Sequence, residues 1–209
     1  MPIKISIIDY NAGNLGSIEK AFRFLGAEPK ITKVIDEILD SDGVVLPGVG
    51  AFGECMNNFK ESGYIENELF AKIEKKKLPF LGICLGFQML FDQSEEMGLH
   101  KGLGIIKGNI VRFPKSVKCP QTGWNTIIKK QPLSFLFNDI PDNSYFYFVH
   151  SYFASCEDKQ DILGETDYVG NRFPSIIQKG NIFGTQFHPE KSGKIGLKLL
   201  KNFLDFTKK

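Results

Sequence analysis

Cys84 stands in Gly82-Ile83-Cys84-Leu85-Gly86, directly after the apolar run Phe80, Leu81, Ile83 and directly before the amphipathic Phe87, Leu90, Phe91. A buried strand that becomes a helix within one residue is the cysteine form of the G-x-S-x-G nucleophile elbow, where a tight turn lifts the reactive atom above a sheet. Glycines two positions before and after keep side chains out of that turn. A helix start also favours thiolate over thiol, as nucleophilic chemistry requires. The competing reading is a cysteine that only fills space between strand and helix.

A thiol nucleophile needs a base, and the base needs an orienting group. Thr185-Gln-Phe-His188-Pro-Glu190 supplies both, because residues two apart in a strand share a side, with Pro189 stiffening the chain between them. A carboxylate on one imidazole nitrogen fixes the tautomer and frees the other for Cys84. The alternative is a His-Glu pair capping the last helix. His150, after the aromatic run Tyr145 to Val149, is the rival base, though a structural or substrate-contacting role suits such a strand better; His100 lies in a polar loop with no catalytic role.

Pro47-Gly48-Val49-Gly50 completes the set. A glycine-rich turn at a strand end exposes backbone N–H groups, and with the N–H of Leu85 these can hold a negative oxygen. A phosphate cradle and an ordinary tight turn remain open, although the spacing fits neither dinucleotide nor Walker A patterns.

The elements that must position these groups follow in order. Ile3, Ile5, Ile7 and Ile8 predict a strand ending at Asp9, then a helix carrying Leu15, Ile18, Phe22 and Leu25; Pro29 to Thr32 predicts a second strand and Val44-Val45-Leu46 a third. One helix is expected from Glu54 to Lys75, then the Cys84 strand. Such alternation makes a parallel sheet covered by helices on both faces, with ligands at the carboxyl ends of strands, where Asp9, Gly48 and Cys84 lie. Beyond it, short aromatic-rich segments (Gly104 to Phe113, Gly123 to Ile128, Tyr145 to His150, Ile176-Ile177 and Ile182 to Gly184) predict strands and hairpins added at the sheet edge, and Lys194 to Phe206 a closing helix.

The 209 residues suit one domain, spanning 1–209, that buries a core without metal or disulfide staples. With 26 Lys and Arg against 24 Asp and Glu, the net charge of +2 offers no concentrated basic face, so nucleic acid and membrane surfaces are not expected partners. Lys75-Lys76-Lys77 reads as a solvated helix end. Four widely spaced cysteines without a C-x-x-C pair, and no apolar leader before the first strand, predict reduced thiols in the cytoplasm. Three scattered histidines argue against a metal site, and no cofactor is expected.

With the Cys84 elbow, Phe-His188-Pro-Glu190 and Pro-Gly48-Val-Gly50-Ala-Phe-Gly53 together, the chain resembles the class I (triad) glutamine amidotransferases nearly end to end. Asp9-Tyr-Asn-Ala-Gly13-Asn14, Gly123-Trp124-Asn125 and Tyr147-Phe-Val-His150-Ser-Tyr152 are similar to members that feed ammonia to a barrel-type cyclase in histidine biosynthesis. The resemblance implies a flavodoxin-like fold and a Cys84, His188, Glu190 triad that hydrolyses L-glutamine through a cysteine thioester. Gly48, Val49 and Leu85 would line the oxyanion, and Gln88, His150, Ser151 and Tyr152 would hold the substrate. Asn11, Asn14, Gln121, Trp124 and Tyr147 would lie at the partner interface and ammonia exit of a heterodimer. Gln121-Thr122 and Asn11-Ala12 depart from the usual pattern of those cyclase-linked members, which keeps a sugar-amidating synthase as the alternative partner and a catalytically silent stabilising subunit as a further one.

Overall fold

The computed structural model describes residues 1–208. Eight strands form the central sheet in the order β2-β1-β3-β4-β14-β13-β12-β9. Its parallel part consists of β2 (Glu28–Thr32), β1 (Lys4–Ile8), β3 (Gly43–Leu46), β4 (Phe80–Ile83) and β14 (Ile182–Thr185), and β13 (Asn171–Lys179), β12 (Ile162–Tyr168) and β9 (Ile128–Lys129) continue it antiparallel. The inner strands are apolar almost throughout because both faces are covered. Val45 and Leu81 face one core with Ile18 and Phe22 of α1 (Leu15–Phe24) and Leu199, Leu200 and Phe203 of α6 (Gly193–Phe206). Val44, Leu46 and Phe80 face the other, with Phe52 and Phe59 of α3 (Phe52–Glu61) and Leu69 and Ile73 of α4 (Leu69–Lys75). The expected mostly parallel sheet with helices on both faces is therefore the observed one.

Three expectations need correction. The helix from Glu54 to Lys75 is two helices: Gly63, at φ 77°, ends α3, and Tyr64 turns inward so that its hydroxyl donates to the carbonyls of Asp9 at 3.0 Å and Lys33 at 3.3 Å. A short helix, α2 (Ile35–Leu39), lies unforeseen before β3. The elbow helix, α5 (Leu85–Gln88), lasts one turn, and Phe91 already opens β5 (Phe91–Ser94). The reason is tertiary: the carbonyls of Met89, Leu90 and Phe91 accept from the N–H groups of Leu103, Ile105 and Gly104, so that strand-like pairing replaces the helical ladder.

The added strands are not all on the sheet edge. β8 (Gln121–Thr126) and β10 (Tyr145–His150) pair as a separate ribbon. β5 with β6 (His100–Lys101), β7 (Ile106–Arg112) and β11 (Tyr152–Cys156) makes a four-stranded sheet of its own. Among the described residues no helix is long and apolar enough to cross a membrane.

Candidate active site

At the carboxyl end of β4 the chain reverses on Cys84, whose φ of 55° and ψ of −108° place a non-glycine residue in a sparsely populated region of the kind found where function fixes a side chain. Tight packing enforces the bend. A side chain at Gly82 would come within 2.7 Å of the Gly86 carbonyl, and one at Gly86 would collide with the Leu46 carbonyl. The Cys84 N–H donates to Thr185 at 2.8 Å, which ties the elbow to β14, the strand that leads to His188.

That connection brings together residues 104 positions apart. The side chains of His188 and Glu190 are both buried; Nδ1 of the imidazole lies 2.9 Å from Oε1 of the carboxylate, and the ring lines the same cavity as Cys84, whose thiol donates to the Val149 carbonyl at 3.9 Å. Burial is the largest influence on His188 and favours the neutral ring, but its hydrogen bonds to Cys84 and Glu190, with the charges they carry, together outweigh it and raise its pKa to about 10. The arrangement favours the imidazolium form of His188. Strand alternation is not what joins the pair. The strand ends at Thr185, and Pro189–Lys191 form one 3₁₀ turn that folds the carboxylate back under the ring. Nor do they cap α6: the Ser192 hydroxyl donates to the His188 carbonyl at 2.6 Å and accepts the Tyr147 N–H at 2.9 Å, locking the histidine onto β10.

Cys84 and His188 open into a cavity of about 200 Å³, below the roughly 300–1,000 Å³ of drug-sized ligand sites and suited to a single amino acid. Val49, Leu85, Gln88, His150, Ser151 and Tyr152 line it, whereas Gly48 sits behind, pressed on Leu85 and Gly86. Gln88 Nε2 donates to the Tyr152 carbonyl at 2.9 Å and to Gln186 Oε1 at 3.0 Å, which commits both its hydrogens. His150, the rival base, is not hydrogen-bonded to the thiol. Its Nδ1 is 2.8 Å from the Tyr152 carbonyl, and Phe113, Phe148 and Phe173 surround the ring. Burial pushes its pKa down to about 4, so it is neutral and Nδ1 carries the hydrogen.

Two lining or adjoining residues were not read from the sequence. Glu96 reaches the cavity from the loop after β5 while its Oε2 accepts the Phe52 N–H at 2.8 Å. Gln186 is buried and its Nε2 lies 4.0 Å from Cys84 Sγ. Gln186 sits two residues before His188, a nearness that sequence could have flagged; nothing local marks Glu96. His100 lies outside the cavity, against Gly53, and among the described residues no cluster of His, Cys, Asp or Glu could hold a metal ion.

Of the residues expected to face a partner, Trp124 is 55% exposed and meets Tyr147 edge to face at 6.0 Å across the β8–β10 ribbon. Trp124 is thus no core anchor. Asn11 is exposed and accepts from Lys33 Nζ at 2.5 Å, and Asn14 is partly exposed at the start of α1. Gln121 is a correction. At 3% exposure it is buried opposite His150 in the ribbon, because its alternate position in β8 points inward.

A thiol held at an elbow, an imidazole backed by a carboxylate and a cavity the size of one amino acid together define a cysteine-dependent acyl-transfer site. The model of the class-I glutamine amidotransferases matches residues 6–206, and the chain belongs to that family. Its relatives narrow the placement: it is 52% identical over 203 residues to the imidazole glycerol phosphate synthase subunit HisH of Methanocaldococcus jannaschii, covering 96% of this chain and 98% of that protein. It is 48% identical to the HisH subunit of Desulfitobacterium hafniense, covering 95% of this chain and 92% of that protein. Within the class it is thus a member of the HisH group. The fold is also that of a glutamine amidotransferase from Thermotoga maritima, at a TM-score of 0.70 and 20% identity over 99% of this chain and 98% of that one.

Proposed function

We propose that residues 1–209 work as one glutaminase domain in which Cys84, His188 and Glu190 hydrolyse L-glutamine, and that the ammonia passes to a cyclase subunit in a cytoplasmic heterodimer serving histidine biosynthesis. The observation that carries this reading is the cavity shared by Cys84 and His188, with Glu190 buried behind the imidazole. The Cys84 thiolate adds to the side-chain amide carbon, and the C=O electron pair moves onto oxygen, where the N–H groups of Val49 and Leu85 receive it. His188 gives its proton to the amide nitrogen, the C–N bond breaks, and ammonia leaves a glutamyl thioester. Water then gives a proton to His188 and adds to the thioester carbon; the C–S bond breaks, releasing glutamate and restoring the thiolate beside imidazolium. Glu96 faces the cavity with a carboxylate suited to the substrate α-ammonium, and Gln88, with its hydrogens committed, offers Oε1 as an acceptor. Trp124, Tyr147, Asn11 and Asn14 form the partner side.

The names of the relatives favour a cyclase over a sugar-amidating synthase. The test is ammonia release from glutamine by the chain alone and with the cyclase and its nucleotide ligand. Release stimulated by the cyclase and abolished by Cys84→Ala is expected; glutamine left intact under both conditions, or stimulation by a sugar-amidating synthase instead, overturns the reading.

A further inference from the structure

In an antiparallel ladder two facing residues exchange both of their backbone hydrogen bonds. Tyr147 of β10 and His188 do so with one substitution. The His188 N–H donates directly to the Tyr147 carbonyl at 3.0 Å. The return bond is indirect: the Tyr147 N–H donates to the Ser192 hydroxyl at 2.9 Å, and that hydroxyl donates to the His188 carbonyl at 2.6 Å. One oxygen thus stands in the ladder as a spacer. It props the histidine backbone away from β10 on the side from which the chain runs on to Glu190.

The spacer is itself held fast. Ser192 is buried, its N–H donates to the Pro189 carbonyl at 3.1 Å, and its carbonyl accepts from the Gly196 N–H at 3.1 Å. The first turn of α6 closes over it, since a side chain at Gly196 would come within 2.6 Å of Ser192 Cβ. A hydroxyl has one hydrogen to give, so giving it to His188 while accepting from Tyr147 fixes its rotation.

We propose that Ser192 is a positioning residue of the glutaminase: its hydroxyl, inserted between Tyr147 and His188, sets the tilt of the His188 backbone and so the placement of the imidazole in the cavity it shares with Cys84. The inference rests on the glutaminase reading above. General acid–base catalysis needs the ring within hydrogen-bond reach of the proton it moves, so a small change of backbone tilt is felt at the ring nitrogens. Without the hydroxyl, either the gap closes and draws His188 towards β10, or it stays open and the backbone gains freedom. In both cases the ring is less often in line when the proton moves. Gln88 and Glu96, which face the substrate from other elements, keep their places, so the loss falls on kcat and not on KM.

The test compares Ser192→Ala and Ser192→Thr with the wild-type chain, each alone and in complex with the cyclase, by glutamine turnover across pH. Expected for Ser192→Ala is a fall of about 10-fold in kcat with KM within about 2-fold, part of the roughly 10²–10⁴-fold that a positioned acid–base group contributes. The alkaline fall of kcat/KM should also move to lower pH by about half a unit, because the ring sits less squarely on the Glu190 carboxylate that helps to hold its proton. Ser192→Thr keeps the hydroxyl and restores most of the rate. A folded Ser192→Ala with kcat within 2-fold of wild type, a loss carried by KM, an unmoved alkaline limb, or a threonine variant as slow as the alanine one overturns the proposal. Should the threonine methyl prevent folding, the kcat and pH behaviour of Ser192→Ala decides the matter. Should the alanine variant not fold, Ser192→Cys, whose thiol is a weaker donor and acceptor, is held to the same criteria. A wild-type chain without glutaminase activity would instead overturn the underlying reading.

Discussion

Gln186 Nε2 lies 4.0 Å from Sγ of Cys84, in a wholly buried position on the side of the thiol away from solvent. The same amide accepts from Gln88 through Oε1 at 3.0 Å, so one side chain touches the nucleophile and orients a wall of the cavity. Gln186→Leu strands one N–H of Gln88, an unpaired buried donor costing about 1–3 kcal/mol. Steady-state kinetics should show kcat/KM down by about 10-fold, mostly through a raised KM for glutamine; an unchanged KM would separate Gln88 from substrate binding.

The backbone of Cys84 yields a second expectation. A non-glycine residue at φ 55° and ψ −108° carries strain of about 1–3 kcal/mol that glycine would not. Both Cys84→Ala and Cys84→Gly should abolish glutamine hydrolysis, yet the glycine variant should be the more stable of the two by about 1 kcal/mol in denaturant unfolding despite its smaller side chain.

His188 sets the alkaline limit. Its folded pKa of about 10 lies above the ordinary histidine value of 6.5, so protonated His188 stabilises the fold fully below pH 6.5, and that contribution is lost as pH rises through 10. The proton it gives to departing ammonia disappears over the same range. The kcat/KM profile should therefore fall near pH 10, and Glu190→Gln, which removes a charge that raises the pKa, should move the fall to lower pH.

At His150 the sign is opposite. Its folded pKa is depressed to about 4, so its contribution to stability is present above pH 6.5 and is lost as pH falls towards 4. The gap amounts to about 3 kcal/mol at 1.36 kcal/mol per pKa unit. Urea midpoints measured from pH 7 to pH 4 should fall less steeply in His150→Gln than in the wild type.

Trp124 projects from β8 with over half its surface free, so Trp124→Ala should change stability by no more than about 0.5 kcal/mol. A central aromatic anchor in an interface is worth about 2 kcal/mol or more. Titration calorimetry with the cyclase should show affinity weakened at least 30-fold, and wild-type affinity would place the interface elsewhere.

Much of this molecule was legible before any coordinates. The largely apolar run Ile5 to Ile8, interrupted only by Ser6, and the apolar runs Val44 to Leu46 and Phe80 to Ile83 specify strands buried on both faces, since such strands can be apolar almost throughout. The elbow glycines and the His188-Pro-Glu190 spacing specify a nucleophile and its companions because those geometries tolerate few other residues. Elements whose limits depend on distant partners could not be read this way. The one-turn length of α5 is set by the N–H groups of Leu103 to Ile105, and the inward turn of Tyr64 by carbonyls at Asp9 and Lys33. Gln121, expected at the partner interface and ammonia exit, is turned inward by its pairing with β10.

The sequence by itself determined the chemistry, because a thiol, an imidazole, a carboxylate and a glycine-rich turn carry it in their own atoms. Only the tertiary structure decided which groups meet. Parallel pairing of β4 with β14 carries His188 to Cys84, a 3₁₀ turn rather than a strand seats Glu190, and the Ser192 hydroxyl enters the gap between Tyr147 and His188. Such contacts join residues distant in the chain, and their distances follow from how whole layers pack rather than from any local pattern.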